Sequence, residues 1–426
     1  MSSILPAWPG RLGPRPKLKE LNFILWGLLF VCFVLPFSIV VFRSHRPPDA
    51  DFAGFYSLGR ILNEYPSSQL YDYQLQKRVC QEVHPRSGEY GPLPYPPYVA
   101  LFFRPFTLLP YWAAYSLWIV ISILLYALGI HIALKRFFPQ PPLVSSLIYA
   151  LAFSYFPFIG FTIGNGQLAA IGFFALALAI REDDLCHEFR SGLALCLCLY
   201  KPTLLVLVLP MLVFTRRFKA LLGFVLGMAA LVLITTTFEG FTVWPHFLGF
   251  LHSFGNSSIG LNNHSFLPLA KYVDLTSFSS AIPGGRSWPG LLTFCAIGLG
   301  ALALLLRFWW KSTQHQPADK ILLWATTLSW TLLINVYVPI YDSILIVLSV
   351  LLTAAALPRI RVRLMQWGFA VNWILILLCS WFSVPVSRAT GVQILTVLFA
   401  AFGSLQFAML DRITHHSAAL NNQPAA

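Results

Sequence analysis

Charged side chains are scarce in this sequence. Asp, Glu, Lys and Arg together make up 11% of its 426 residues, whereas soluble domains contain about 25%. Hydrophobic residues make up 57% of the chain, and the mean hydropathy is +0.69. This composition excludes an ordinary soluble domain. It predicts an all-α polytopic membrane protein, because apolar segments of this kind cross a bilayer as helices.

Cysteine motifs and separable domains are also lacking. The seven cysteines form no C-x-x-C pair, so neither a disulfide framework nor a zinc site is predicted. The chain has no internal repeat, no low-complexity tract and no separable soluble domain. We therefore interpret residues 1–426 as a single integral membrane domain.

Acidic residues are too few to balance the basic ones. The chain has 16 Asp and Glu against 29 Lys and Arg, which gives a net charge of +13. Such a charge could suggest nucleic acid as a partner. The basic residues, however, form short clusters between apolar runs, which is the topology signal of a membrane protein. No nucleic-acid partner is predicted.

Ten apolar segments are interpreted as spanning helices. The first contains about 22 residues, enough to cross the hydrocarbon core. No A-x-A-like cleavage site follows it, so the N-terminus is not read as a cleavable signal peptide. The ten segments are 21–42, 112–134, 142–162, 168–180, 220–237, 288–310, 321–339, 343–357, 364–384 and 391–410.

A further apolar stretch, residues 191–214, is split by the pair Lys201-Pro202. If it crossed the membrane once, the basic cluster 215–219 would lie opposite residues 181–190. A hairpin of two short helices keeps the basic clusters on one side, as the positive-inside rule favours. Proline at the turn also removes a backbone donor. We therefore predict the hairpin, and with it about twelve transmembrane helices.

The predicted topology places both chain ends in the cytoplasm, as tails at 1–20 and 411–426. It leaves two large extracytoplasmic loops, 43–111 and 238–287, which we expect to carry short interfacial helices. Within the first loop, residues 98–110 are apolar but too short to span. They are predicted to lie along the membrane interface or to dip into it.

Unusual polar residues gather on the predicted outer side, from six separate segments. Ionisable groups at the ends of membrane helices are costly unless they are paired or face water, so they are functional candidates. The candidates are Asp49, Asp51, Asn165, Gln167, Lys201, Asn262, Asn263, His264, Tyr341 and Asp342.

Each candidate also has a purely structural interpretation. Asp49 and Asp51 could be a solvated flank of the first spanning helix. Gln167 could cap the tight turn GNGQ, and Lys201 could extend from a helix end to the lipid headgroups. Asp342 could cap the helix that follows it. The residues alone leave these alternatives open.

Several short motifs, taken in order, make the chain resemble glycosyltransferase family 87. Together they cover most of the chain from residue 51 to about residue 350. The motifs are DFAGFYSLGR (51–60), LYDYQLQ (70–76), YPPYVALFFRPFTLLPYWAAYSLW (95–118), GNGQLAAIGFFALALAI (164–180), LCLYKPTLLVLVLPMLVFTRRFKALLG (197–223), NNHSFLPL (262–269) and PIYDSILIV (339–347).

The resemblance implies the C-type membrane glycosyltransferase fold, with inverting sugar transfer on the extracytoplasmic face of the cell (inner) membrane. The implied donor is a sugar on a polyprenyl phosphate, most often mannose, and the acceptor is a lipid-linked sugar or glycan. No nucleotide-sugar site is expected, because no soluble domain is present to hold one. A membrane transporter or lipid flippase is the alternative, although the chain has only one broken helical segment.

The resemblance also implies residue roles. Asp51, in D-F-x-x-F-Y, matches the expected general base, and Asp49 falls just outside the motif. Lys201 and Arg104 are candidates for binding the leaving phosphate, because a cation in a low-dielectric bundle favours an anion strongly. The candidates for positioning the substrates through hydrogen bonds are Gln167, Asn263, His264, Tyr341, Asp342, Tyr56 and Asp49.

The sequence departs from the family pattern at one point. Where relatives commonly have Asn-Gln-Ser, this chain has Asn263-His264-Ser265, which could alter the acceptor or the head of the donor. No cofactor is predicted. A divalent metal stays an open alternative, although no dense acidic cluster argues for a metal site.

Overall fold

The computed structural model describes residues 50–85, 92–138, 142–256, 269–282, 284–313, 319–360 and 362–421. The predicted first spanning helix (21–42), Asp49 and residues 262–264 lie outside these ranges. Within them the chain is helical, and its only β pairing is a single bridge between Tyr272 and Pro339. The predicted all-α class is confirmed for this part of the chain.

Seventeen α-helices, α1 to α17, are present in the described ranges. Aspartates cap α2, α11 and α13 by accepting hydrogen bonds from backbone N–H groups, as short acidic side chains commonly do. In chain order the helices are Ala50–Glu64, Tyr73–Val83, Pro97–Phe103, Tyr111–Phe137, Pro142–Phe153, Ala169–Asp184, Glu188–Leu195, Val208–Phe214, Phe218–Glu239, Val243–Asn256, Leu275–Ala281, Trp288–Thr313, Lys320–Leu333, Leu345–Ala356, Arg363–Ser380, Ser383–Thr390 and Ile394–Asn421.

Short irregular helices connect several of these elements. One of them, Pro157–Ile163, has π-helical hydrogen bonding and follows α5 at a bend of 58°. The others are the 3₁₀ segments Ser67–Gln69, Arg104–Leu108, Cys196–Tyr200, Pro202–Leu205, Leu269–Lys271, Ile340–Ile344 and Leu357–Arg359.

Six helical segments in the described part are long and apolar enough to cross a membrane, and the bent pair at 145–163 would make a seventh. This supports a multi-pass membrane protein, while the predicted number of about twelve remains a prediction. The six are Tyr111–Phe137, Phe218–Glu239, Trp288–Thr313, Ile340–Arg359, Arg363–Ser380 and Ile394–Thr414.

Burial separates a central helix from peripheral ones. The most apolar window of Ile340–Arg359 is 78% buried, whereas the corresponding window of Trp288–Thr313 is only 17% buried. Exposed leucines such as Leu233 and Leu299 lie on the peripheral helices. In a bilayer this exposure carries little cost, because lipid tails are as apolar as leucine.

The chain reverses direction between α6 and α9. Arg217, just before α9, forms an ion pair with Asp183, near the end of α6. Lys320 Nζ lies 3.4 Å from Asp183 Oδ2, and the Trp324 indole donates to the same oxygen at 2.7 Å. The cluster 215–219 therefore lies beside residues 181–190, as the reversal predicted at Lys201-Pro202 requires.

Two glycines allow the outgoing and returning helices to touch. A Cβ at Gly192 of α7 would lie 1.8 Å from the Ala220 carbonyl oxygen, and one at Gly223 of α9 would lie 2.1 Å from the Phe189 carbonyl oxygen. Backbone contact through small residues is the usual way in which membrane helices gain van der Waals energy. These glycines fix the position of the segment that carries Lys201.

The segment predicted to be interfacial forms the short helix α3 and the 3₁₀ turn Arg104–Leu108. One of its faces is buried through Phe103, which contacts the rings of Phe52, Phe55 and Trp118. The opposite face exposes apolar side chains, with Leu108 81% exposed. Such exposure suits a segment that rests on lipid, and its place in the membrane remains a prediction.

Candidate active site

The turn Gly164–Gln167 (GNGQ) joins the bent helix to α6 and forms the base of the site. Gly166 has φ +69°, a left-handed conformation that glycine adopts without steric cost. A Cβ at Gly166 would also lie 2.6 Å from the Phe52 Cβ. Glycine is therefore required at position 166 both by its backbone conformation and by the close approach of α1.

The carbonyl groups of this turn are held by side chains of α4. The Tyr115 hydroxyl donates to the carbonyls of Ile163 and Gly164, at 2.9 and 3.2 Å. The Trp118 indole donates to the Gly166 carbonyl at 2.8 Å. The aromatic residues of the motif AYSLW thus act as hydrogen-bond donors to GNGQ, in addition to filling space.

The turn also receives α1. The Phe52 N–H donates to the Asn165 carbonyl at 3.0 Å, and the Phe52 ring contacts Phe103, Tyr111 and Tyr115. Asp51 directly precedes Phe52 in the first turn of α1. The hydrogen bond at Phe52 therefore sets the distance between the Asp51 carboxylate and the amide side chains of the turn.

The Asp51 carboxylate is half-buried and bonded to two amides. Asn165 Nδ2 donates to Asp51 Oδ2 at 3.1 Å, and Gln167 is a second side-chain partner. Burial raises the pKa of Asp51 above its ordinary value, and the bonds from Gln167 and Asn165 and the charges of Lys271 and Lys201 oppose that rise. A carboxylate whose basicity is increased by burial is suited to accept a proton.

Lys201 lies at the break between two 3₁₀ helices. Its backbone is extended, with φ −144° and ψ 83°, because the following Pro202 disfavours a helical conformation at this position. The break turns the side chain toward Asp342, with which Lys201 forms a hydrogen-bonded ion pair. The ammonium also lies 4.9 Å from the centre of the Tyr341 ring, which adds a cation–π contact.

Asp342 belongs to the 3₁₀ segment Ile340–Ile344 and makes no capping hydrogen bond there. Its side chain is 1% exposed and that of Lys201 is 16% exposed. Two charges at this depth are tolerated because they neutralise each other. The predicted alternatives, a capping role for Asp342 and extension of Lys201 to the headgroups, do not describe these contacts.

A non-local pairing brings another strip of chain to the site. Tyr272 bridges Pro339, and the Val273 N–H donates to the Val338 carbonyl at 2.9 Å. Asp274 secures the strip by accepting from the Val338 N–H at 2.7 Å. Helix α13 ends at Leu333, before this pairing begins, so the predicted span 321–339 extends too far. The pairing also carries Lys271 and Tyr272 to the side of Asp51.

Three residues of this arrangement escaped the sequence analysis: Tyr95, Lys271 and Tyr272. Lys271 is the larger of the two cationic influences on Asp51. Tyr95 is hydrogen-bonded to Tyr341 and lies in the field of Asp342 and Asp51. Tyr95 opens the motif YPP, which is the one signal that pointed to it. Nothing local distinguishes Lys271 from other basic residues.

Among the buried side-chain polar atoms of the described residues that have no hydrogen-bond partner, two belong to this cluster. They are Gln167 Oε1 and Asp342 Oδ1; Gln167 is 3% exposed and Asp342 2% exposed. Buried polar atoms are nearly always bonded, so exceptions need an explanation. Both belong to side chains whose other polar atom faces the group around Asp51 and Lys201. This suits a site whose remaining partners come from a ligand.

The structure does not bring Arg104 or Tyr56 to this group. Arg104 Nε donates to Asn63 Oδ1 and Nη1 pairs with Glu239 Oε1, each at 2.8 Å. Asn63 is twelve residues beyond Asp51 on α1, about 18 Å along the helix axis. The Tyr56 hydroxyl donates to the Leu109 carbonyl at 2.9 Å. Arg104 therefore links the first loop to α1 and α9, and Tyr56 links α1 to the segment before α4.

Asp49, Asn263 and His264 lie outside the described residues, so their predicted roles stay predictions. Among the residues that the structure describes, no group of three or more His, Cys, Asp and Glu could hold a metal ion. The prediction about cofactors likewise remains a prediction.

A charged, partly unsatisfied polar cluster at the helix breaks of an apolar bundle marks a candidate functional site in a membrane protein. The family model of glycosyltransferase family 87 matches residues 93–335. This is more than half of the chain, and the protein belongs to this family of glycosyltransferases. The resemblance found in the sequence motifs is confirmed. No curated protein and no solved structure gives a significant match to the chain.

The family match covers much of the polar cluster but not all of it. Asn165, Gln167, Lys201 and Lys271 lie inside the matched range. Asp51 and Asp342 lie outside it, one on each side. The structure joins these two carboxylates to the matched region through Asn165 and Lys201 respectively.

Replacing Gly166 by alanine is expected to lower the stability of the protein. The left-handed backbone alone costs about 1–2 kcal/mol for a residue with a Cβ, and the contact with Phe52 adds to it. The thermal unfolding midpoint in detergent measures the effect. Gly284→Ala is the matched control, because Gly284 also has positive φ but has open space around it. An equal loss in both variants would contradict the close approach of α1 at position 166.

Proposed function

We propose that the protein is an inverting glycosyltransferase whose donor is a polyprenyl-phosphate sugar, with mannose as the transferred sugar. The acceptor is a lipid-linked sugar or glycan, and the reaction takes place on the extracytoplasmic face of the inner membrane. Membership of the family supports sugar transfer. The observation that carries the finer proposal is the half-buried Asp51 carboxylate, held by two amides beside two lysines.

Asp51 acts as the general base in this mechanism. The acceptor hydroxyl oxygen attacks the anomeric carbon of the donor from the face opposite the phosphate. The new bond forms between that oxygen and the anomeric carbon, while the bond from the anomeric carbon to the phosphate oxygen breaks. The hydroxyl proton passes to Asp51, and the bonding electrons leave with the polyprenyl phosphate. Attack from the opposite face inverts the anomeric configuration.

The leaving phosphate gains negative charge as this bond breaks. Lys201 and Lys271 are the cations of the cluster that face the Asp51 carboxylate. A cation placed beforehand in a water-poor site stabilises such charge far better than it would in water. Asp342 holds the Lys201 ammonium in place, so that it need not reorganise during the reaction.

The remaining polar groups position the two substrates. Gln167 Oε1 and Asp342 Oδ1 lack partners and can accept hydrogen bonds from sugar hydroxyls. Tyr341 and Tyr95, which are hydrogen-bonded to each other near Asp342 and Asp51, are further candidates for these contacts. Alignment of two bound reactants is itself a large contribution to the rate. Arg104 and Tyr56 have no part in this scheme, because their partners lie elsewhere.

Asp51→Asn is expected to reduce sugar transfer by about 10²–10⁴-fold, the usual contribution of a general base. The change keeps the size of the side chain and removes its charge. Transfer from a polyprenyl-phosphate sugar by the purified protein measures it. Glu64→Gln is the matched control: it changes an exposed carboxylate of the same helix, which pairs with Arg60 and is not part of the Asp51 cluster. Transfer at the wild-type rate by Asp51→Asn would exclude Asp51 as the base.

The pH profile of kcat/KM should show an acid limb above the ordinary range of aspartate. The base must be deprotonated, so activity falls as the pH drops through the pKa of Asp51, which burial raises. Asn165→Ala removes a hydrogen bond that favours the charged carboxylate and should move the limb to higher pH. The backbone carbonyl that holds Phe52 is retained. A limb that stays in place in this variant would contradict the assignment.

Lys201→Ala is expected to raise the KM for the donor and to lower the thermal stability, because Asp342 is left buried without its partner. The double variant Lys201→Ala/Asp342→Asn separates the two effects, because it removes both charges and keeps the Asp342 Oδ1 position as an acceptor. If Lys201 binds the phosphate, the double variant recovers stability but not donor affinity. Recovery of both would reduce the pair to a structural role. Donor KM and the unfolding midpoint of each variant provide the comparison.

A further inference from the structure

A groove lies between the loop region after α1 and helix α10. It encloses about 700 Å³, within the range of about 300–1,000 Å³ that is usual for ligand sites. One wall comes from residues 68–73 and the other from residues 245–254. The mechanism above uses none of these residues.

Aromatic side chains form much of the groove. The Tyr71 ring centre lies 5.5 Å from that of Phe250. The rings of Phe250 and Phe254 are nearly parallel, at 22° and 6.4 Å. Their spacing of four residues places both on one face of α10. The groove therefore offers flat apolar surfaces of the kind that contact the C–H faces of a ligand.

Polar groups surround these rings. Gln69, Asp72 and His246 line the groove and are exposed. Asp72 caps α2 through Oδ1 alone, by accepting from Gln74 and Leu75 N–H groups. Its second oxygen is not needed for the cap. An amide, a carboxylate and an imidazole together can donate to and accept from several hydroxyl groups at once.

We propose that this groove binds a saccharide, as the subsite for the sugar portion of the acceptor. The inference rests on the proposed function, because it assigns the groove to a substrate of that reaction. A saccharide combines apolar C–H faces with many hydroxyls, which matches the rings and the polar rim together. An acyl chain would leave Gln69, Asp72 and His246 without any role.

Hydrogen bonds through Tyr95 link the lining of the groove to the Asp51 cluster. The Tyr71 hydroxyl donates to the Tyr95 carbonyl at 2.8 Å. The side chain of Tyr95 is hydrogen-bonded to Tyr341 within the Asp51 cluster. In this proposal the saccharide contacts Tyr71 in the groove, and its terminal hydroxyl lies on the Tyr95 side, toward the Asp51 cluster.

Gly249 is a position at which a larger side chain would block the groove. It lies on α10 in the lining, and a Cβ there meets no atom within 4 Å. Gly249→Trp should therefore place its ring in the groove, because the Cβ at this position has open space. Gly298→Trp is the matched control, because Gly298 lies within α12 and also has open space. His246→Ala is a milder variant that removes one polar group and fills nothing.

The test is saturation-transfer NMR on the purified protein, without donor, using methyl glycosides of mannose, glucose, galactose and arabinose. At least one glycoside should bind equally to the wild type and to Gly298→Trp. Gly249→Trp should bind it at least about tenfold more weakly, and His246→Ala should also weaken it. If Gly249→Trp does not elute from gel filtration as folded protein, His246→Ala decides the matter.

Binding of no glycoside would overturn the proposal, and so would unchanged binding by Gly249→Trp. Loss of binding in Asp51→Asn with retention in Gly249→Trp would place the saccharide at the Asp51 cluster and overturn the groove assignment, while the proposed function stands. Groove-dependent binding in a protein that transfers no sugar from a polyprenyl phosphate would support the groove and overturn the proposed function.

Discussion

The hydrogen bond from the Phe52 N–H to the Asn165 carbonyl is the contact on which the site depends. It attaches the loop helix α1 to a turn of the membrane bundle. That turn is itself fixed, because its carbonyls accept from Tyr115 and Trp118. Asp51 precedes the donor residue, and Gln167 follows the acceptor residue by two positions. A backbone hydrogen bond, and not a side-chain pair, therefore positions the Asp51 carboxylate beside the amides of Asn165 and Gln167.

The two carboxylates of the site, Asp342 and Asp51, differ in their partners and therefore in how easily each can gain a proton. Asp342 shares a buried ion pair with Lys201, and removing either partner leaves an uncompensated charge. Asp51 has amide donors as its direct partners and the lysines only as neighbours. It can therefore gain a proton without breaking an ion pair. One carboxylate is suited to hold a cation in place, and the other to exchange a proton.

Most of the fold that could be predicted from the sequence followed from the lengths of its apolar segments. The spans predicted at 112–134 and 288–310 correspond to Tyr111–Phe137 and Trp288–Thr313, and the basic clusters located the reversal at Lys201. Non-local contacts account for what was missed. Lys271 reaches the site through the pairing of Tyr272 with Pro339, which no periodicity encodes. The partner of Arg104 could not be predicted for the same reason, because Glu239 is 135 residues away in the sequence.

Helix α6 begins just after Gln167 and ends just after Asp183. The helix has sixteen residues and is therefore about 24 Å long, whereas the hydrocarbon core of a bilayer is about 30 Å thick. The Asp51 cluster and the charged cluster at Asp183 therefore cannot both lie level with the two surfaces of an undistorted membrane. Either the bilayer thins around the protein, or the phosphate of the proposed lipid-linked donor must lie below the headgroups to reach the lysines.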